Sequence, residues 1–139
     1  MTIWKKEIPT DITSEQLGGA AKSLGIELVE VADNHMVCKM PVDKRTIQPM
    51  GILNGGASCL LAETIGSMAA NGTLAIGEYA VGLTLNANHI RSVRQGSVFA
   101  TATPKHLGKS TQIWDIDIRN ESQQQVCSVT LTLAILKSS

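Results

Sequence analysis

The 139-residue sequence predicts an α+β domain, with one long helix set against an antiparallel sheet. Three observations carry that prediction. Between Ala57 and Ala70, apolar side chains recur at helical spacing with a single charge, Glu63, among them. In the second half of the chain the period falls to two, the signature of strands with one buried face. The segments NESQQQ and HLGK that join those strands are short, which favours antiparallel neighbours. The length suits one domain with a modest core, covering residues 1–139, and the chain shows no repeat or linker.

Taken in order, residues 13–24 (TSEQLGGAAKSL) predict a short helix, capped by Thr13 or Ser14 and ended by Gly25. The pair Gly18-Gly19 weakens it by up to about 1 kcal/mol each relative to Ala. IELVEV (26–31) reads as a strand with one wet face, Asp33-Asn34 as a turn, and HMVCKMPV (35–42) as the returning strand. The polar loop DKRTIQP then leads to the central helix. Ala57, Leu60, Leu61, Thr64, Ile65 and Met68 fall on one side of that helix. Gly56, Cys59, Ala62, Gly66, Ala69 and Ala70 fall on the other, with no Lys or Arg anywhere. A helix without a charged face is expected to be buried on nearly all sides. Gly72 and Gly77 bracket a connection, and four strands follow. Alternation places Val81, Leu83, Leu85 and Ala87 on one face with His89. It sets Trp114, Ile116 and Ile118 opposite Asp115 and Asp117, and Cys127, Val129, Leu131, Leu133 and Ile135 opposite Ser128, Thr130, Thr132 and Ala134.

Composition excludes several classes of function. Twelve basic residues balance twelve acidic ones, so no global field draws the chain to nucleic acid or a membrane. Two Trp, one Tyr and one Phe make a poor base-stacking surface. Cys38, Cys59 and Cys127 are odd in number, widely spaced and set in apolar or strand-like stretches, as expected of free thiols in a reducing compartment. Zinc-ligand spacing is absent. MTIWKKEIP has no apolar signal core, and the longest apolar run is interrupted by Glu63 and too short for a bilayer. A cytoplasmic location without membrane or nucleic-acid partners is the expectation.

Glu63 is the residue with chemistry to explain. It reads either as a carboxylate at the rim of a core helix, satisfied by an amide or an Arg, or as a general base or nucleophile. Asn54 can cap the helix, and unpaired amides behind it can stabilise negative charge. Gly55 and Gly56 let a ligand approach that backbone closely. A carboxylate with a helix N-terminus is a minimum kit for attack on a carbonyl.

The runs MPVDKRTIQPMGILNGGASCLLAETIGSMAA, VGLTLNANHIRSVRQG and HLGKSTQIWDIDI resemble the small hotdog-fold acyl-CoA thioesterases. The branch they resemble contains 1,4-dihydroxy-2-naphthoyl-CoA thioesterase and the enterobactin-pathway proofreading thioesterase. The resemblance extends from Ile3 to about Leu136 and implies a sheet wrapped around the helix. It also implies hydrolysis of an acyl-CoA or aryl-CoA thioester with no cofactor or metal, and a homodimer, often paired into a homotetramer, with active sites between subunits. Carried over by position, Glu63 is the catalytic carboxylate and the Gly55 amide polarises the carbonyl. Gln48 is a second polar group near the reacting centre, and Ser67, with Thr64 beside it, positions the carboxylate or water. Glu63 and Ser67 would come from one subunit, Gln48 and Gly55 from the other. Asn54 stands where the family usually has His; it keeps a donor but cannot carry a proton. His89, Arg91 and Ser92, and the turn Gly108, Lys109 and Ser110, match segments near the nucleotide phosphates; ordinary turn chemistry is the alternative. Met50, Leu53 and Met68 are candidates for the acyl pocket or for plain core packing. Asn54 leaves open a non-catalytic or weakly active acyl-CoA or acyl-carrier binding protein, and a hotdog dehydratase is disfavoured because Glu63 has no neighbouring His.

Overall fold

The computed structural model describes residues 1–138. Six strands form one antiparallel sheet in the order β1-β2-β4-β5-β6-β3: β1 Glu27–Val31, β2 Met36–Pro41, β3 Glu78–His89, β4 Ser97–Leu107, β5 Thr111–Arg119 and β6 Gln125–Lys137. The long helix, α3 (Gly55–Gly72), packs on its inner face, and the hotdog arrangement is thereby formed. The predicted N-terminal helix is broken into α1 (Ser14–Leu17) and α2 (Gly19–Leu24). Gly18, at φ 68° and ψ −175°, turns the chain out of the helix after Thr13 and Gln16 have closed a capping box on the first turn.

Period-two alternation sets the core. Met36, Cys38 and Met40 face inward from β2, and Val98, Ala100 and Ala102 from β4. Trp114, Ile116 and Ile118 do so from β5, and Val129, Leu131 and Leu133 from β6. These pack against Leu61, Ala62, Ile65 and Ala69 of α3, each large apolar side chain contributing about 1.5–3 kcal/mol by leaving water. The small residues of α3 bring helix and sheet close. A side chain at Gly66 would run into Leu131, with Ile116 just behind. Trp4 stacks on Trp114 at 6.3 Å between ring centroids, so the N-terminal segment lies over the end of the helix. Its backbone is tied there by Lys5 N–H to Gly72 O at 2.9 Å.

Two expectations are corrected. The helix is not buried all round: Ala57, Ser58, Leu61, Ala62, Ile65, Gly66, Ala69 and Ala70 meet the core, while Gly56 and Glu63 are exposed and Cys59, Leu60, Thr64 and Ser67 are half-buried. A six-stranded sheet covers one side of a helix, and this one leaves the opposite side open. The second correction concerns β3. A bulge between Gly82 and Thr84 shifts the alternation, so the inward set is Ala80 and Gly82, then Leu85 and Ala87. Tyr79, Val81 and Leu83 are exposed instead. No helix among the described residues is long and apolar enough to cross a membrane.

Candidate active site

The start of α3 is built by its cap. Asn54, in extended geometry, accepts hydrogen bonds through Oδ1 from the Gly56 amide at 2.6 Å and the Ala57 amide at 3.2 Å. Its backbone N–H is fixed to Thr46 O at 2.8 Å. Ser58 N–H reaches Asn54 O, so among the described residues the Gly55 amide is the one at the helix start left without an acceptor. An unpaired amide on the first residue of an 18-residue helix is a ready hydrogen-bond donor to a carbonyl or an anion.

That amide opens on a cavity of about 320 Å³, a volume in the range of small-ligand sites, lined by Gln48, Leu53, Gly55, His89, Arg91 and Ser92 among others. Gln48 is held in a tight turn, with Gly51 N–H on its carbonyl at 2.8 Å and Oε1 accepting from the Met50 amide. Its side-chain NH₂ is what remains for a ligand. Arg91 is steadied by Nη1 donating to Gln125 O at 3.0 Å.

Glu63 faces a different cavity, on the open side of α3, together with Cys59, Leu60, Thr64, Ser67 and Leu85. Its carboxylate makes no ion pair among the described residues. Ser67 stands four positions after Glu63, so the two are neighbours one turn apart. The Cys59 thiol beside them is raised above the usual range by burial and then by the Glu63 charge, which leaves it protonated and a poor nucleophile. Cys38 is driven up to about 12 by burial, and all three cysteines are unpaired.

The sequence-derived candidates thus fall into three places. Gln48, Asn54, Gly55, Leu53, His89, Arg91 and Ser92 gather at the helix start. Glu63, Thr64 and Ser67 gather two turns further along. Gly108 and Lys109 line a third cavity with Lys5, Thr73 and Glu78, apart from Arg91, while Ser110 accepts from Ile135 N–H. The acyl-pocket candidates are not brought together: Met50 is 77% exposed, Leu53 is buried, and Met68 packs on the core. Neither Met lines the cavity of Gly55 or that of Glu63.

Two residues escaped the sequence reading. Gly82 lies directly over the Glu63 carboxylate, where any side chain would press into Oε2. A glycine inside a strand pattern is the available signal for such a close approach. Asn71, one turn beyond Ser67, joins helix to strand: Oδ1 accepts from Ala80 N–H at 2.9 Å and Nδ2 donates to Ser67 O at 2.8 Å. It fixes the height at which Gly82 meets Glu63.

A six-stranded sheet around one helix, with a free amide at the helix start and a carboxylate without an ion pair among the described residues on its open face, is a hotdog-type framework. Residues 50–127 match the thioesterase superfamily. The 1,4-dihydroxy-2-naphthoyl-CoA hydrolase of Escherichia coli is 42% identical over 135 residues, 96% of this chain and 99% of that protein. The proofreading thioesterase EntH of Cronobacter turicensis is 40% identical over 135 residues, 96% and 98% of the two chains. A thioesterase of Haemophilus influenzae, known from a crystal structure, superposes with a TM-score of 0.92 at 44% identity, over 98% of this chain and 96% of its own. The chain belongs to the thioesterase superfamily and is a thioester hydrolase.

Proposed function

We propose that the protein hydrolyses acyl-CoA or aryl-CoA thioesters to the free acid and CoA, without metal or cofactor, in a homodimer or homotetramer of the cytoplasm. The observation that carries the reading is the division of the chemistry along one helix. Gly55 and Glu63 are eight residues apart on α3, about 12 Å of axial rise at 1.5 Å per residue, so one chain cannot bring both to one carbonyl. Two copies with antiparallel helices bring the Glu63 of one to the Gly55 of the other. The exposed apolar residues Tyr79, Val81 and Leu83 on β3, an edge strand, suit burial by that second copy.

In such a site the carbonyl oxygen accepts from the Gly55 amide, with Gln48 beside it. Glu63 attacks the carbonyl carbon or removes a proton from the attacking water, and Ser67 and Thr64 hold the carboxylate or water in line. Arg91 and Ser92, at the mouth of the Gly55 cavity, suit the phosphates of CoA. The carrier is inferred from the likeness to a protein named for a CoA thioester.

Thiol release from a panel of acyl-CoAs and aryl-CoAs tests the reading, with Glu63→Gln alongside. The variant is expected to keep its fold and bind CoA while kcat falls by at least about 100-fold, the range for loss of a general base. Thiol release by Glu63→Gln near the parent rate would refute the role of Glu63.

A further inference from the structure

His89 does more than line the mouth of the cavity. A Cβ built on Gly55 would lie 3.0 Å from His89 Nε2 and 3.1 Å from Cε1, so the edge of the imidazole rests on the residue whose amide is free. On the far side of the ring, Nδ1 lies 3.6 Å from Cys127 Sγ. Nε2 has no protein partner among the described residues. Two unsatisfied polar groups, the Gly55 amide and Nε2, therefore share one cavity.

Resting on the hydrolase reading above, we propose that His89 is a catalytic residue whose Nε2–H joins the Gly55 amide in binding the thioester carbonyl oxygen. Burial, and then Cys59, pushes the Cys127 thiol up to about 11, so it keeps its proton near neutral pH. In the tautomer the proposal requires, that S–H donates to Nδ1 and the ring carries its own proton on Nε2. The inward nitrogen is then the acceptor and the cavity-facing one the donor.

Electrons and protons balance in the step. As the water oxygen bonds to the carbonyl carbon, the water proton passes to Glu63 and the π pair moves onto the carbonyl oxygen. The Gly55 N–H and His89 Nε2–H hold that charge without giving up a proton. When the carbonyl re-forms, the C–S bond breaks and the CoA thiolate takes the proton from Glu63. The role fits this chain in particular, because no imidazole stands at position 54, where Asn54 Oδ1 caps the helix. Glycine at 55 is then required twice, for the ligand and for the ring that rests on it.

The test compares an acyl-CoA with the N-acetylcysteamine thioester of the same acid, which has no nucleotide. His89→Ala is expected to lower kcat on both substrates by roughly 10- to 1,000-fold, the range for one oxyanion donor, with KM nearly unchanged. His89→Gln, which keeps a donor, is expected to retain more of the rate than His89→Ala, with thermal melts confirming that both fold. A defect confined to the CoA substrate and appearing in KM would overturn the proposal, because His89 would then serve the phosphates. Equal rates for His89→Ala and His89→Gln would overturn it as well. An active parent, an inactive Glu63→Gln and an unimpaired His89→Ala would sink this role alone. A parent that cleaves no thioester would sink the hydrolase reading itself.

Discussion

Substituting Gly82 by Ala separates stability from catalysis in one change. A methyl there would press into Glu63 Oε2, while Leu131 Cδ1, at 3.8 Å, is in ordinary contact. The colliding atom is the far end of a flexible side chain on the open face of α3, so the carboxylate swings aside and neither backbone moves. The cost to folding is small, and replacing a strand glycine returns roughly 0.5–1 kcal/mol of chain entropy. Gly82 does not have a positive φ, so Ala fits its backbone. The cost to chemistry is not small: a displacement of about 1 Å in a reacting group takes on the order of 100-fold from the rate. Gly82→Ala is therefore expected to melt at or above the parent temperature and to release thiol about 10- to 100-fold more slowly. Thermal melts and steady-state thiol release on one acyl-CoA measure both. A variant with the parent melting temperature and a kcat within about twofold would refute the idea that this contact sets the working position of Glu63.

Three further outcomes are expected. Asn54→His restores the imidazole usual in the family and should raise kcat without changing the order of acyl preference. It also loses the Oδ1 bonds to Gly56 and Ala57, so the helix start should weaken by about 0.5–2 kcal/mol in urea titration. A variant no faster than the parent would mean that the family role does not transfer. Asn71→Ala strands the Ala80 amide and should cost about 1–3 kcal/mol by the same titration; an unchanged midpoint would show that the helix–strand tie is dispensable. Sedimentation at assay concentrations should give a dimer or larger species, and a fully active monomer would end the shared-site reading.

The strands of the second half were legible in sequence because period-two alternation survives wherever one face is buried, as from Trp114 to Ile118 and from Cys127 to Leu133. The cap at Asn54 was legible for a local reason, since a side-chain oxygen before a glycine pair has few other partners. The burial of α3 was misjudged from the same residues. Small side chains at 62, 66 and 69 signalled close packing, but composition does not say whether the packing partner covers one side or all. On β3 the alternation misled, because a bulge adds a residue without any mark in the apolar pattern and turns Val81 and Leu83 outward. Helical spacing put Ser67 one turn beyond Glu63 but set Thr64 on the opposite, apolar side of the helix, whereas all three line one cavity. The company of Gly55 and His89 could not be read locally, since His89 stands 34 positions further on, at the end of an edge strand.

That both halves of the proposed site lie on a single helix has a genetic consequence. A defect at Glu63 and a defect at Gln48 or Gly55 strike different halves. Chains carrying one defect each would assemble, when mixed, into pairs with one doubly damaged site and one untouched site. Two inactive alleles of this gene would then complement each other within the same cell, whereas two alleles damaged in the same half would not. Intragenic complementation thereby becomes a map of which residues share a half-site, obtained without resolving a single atom.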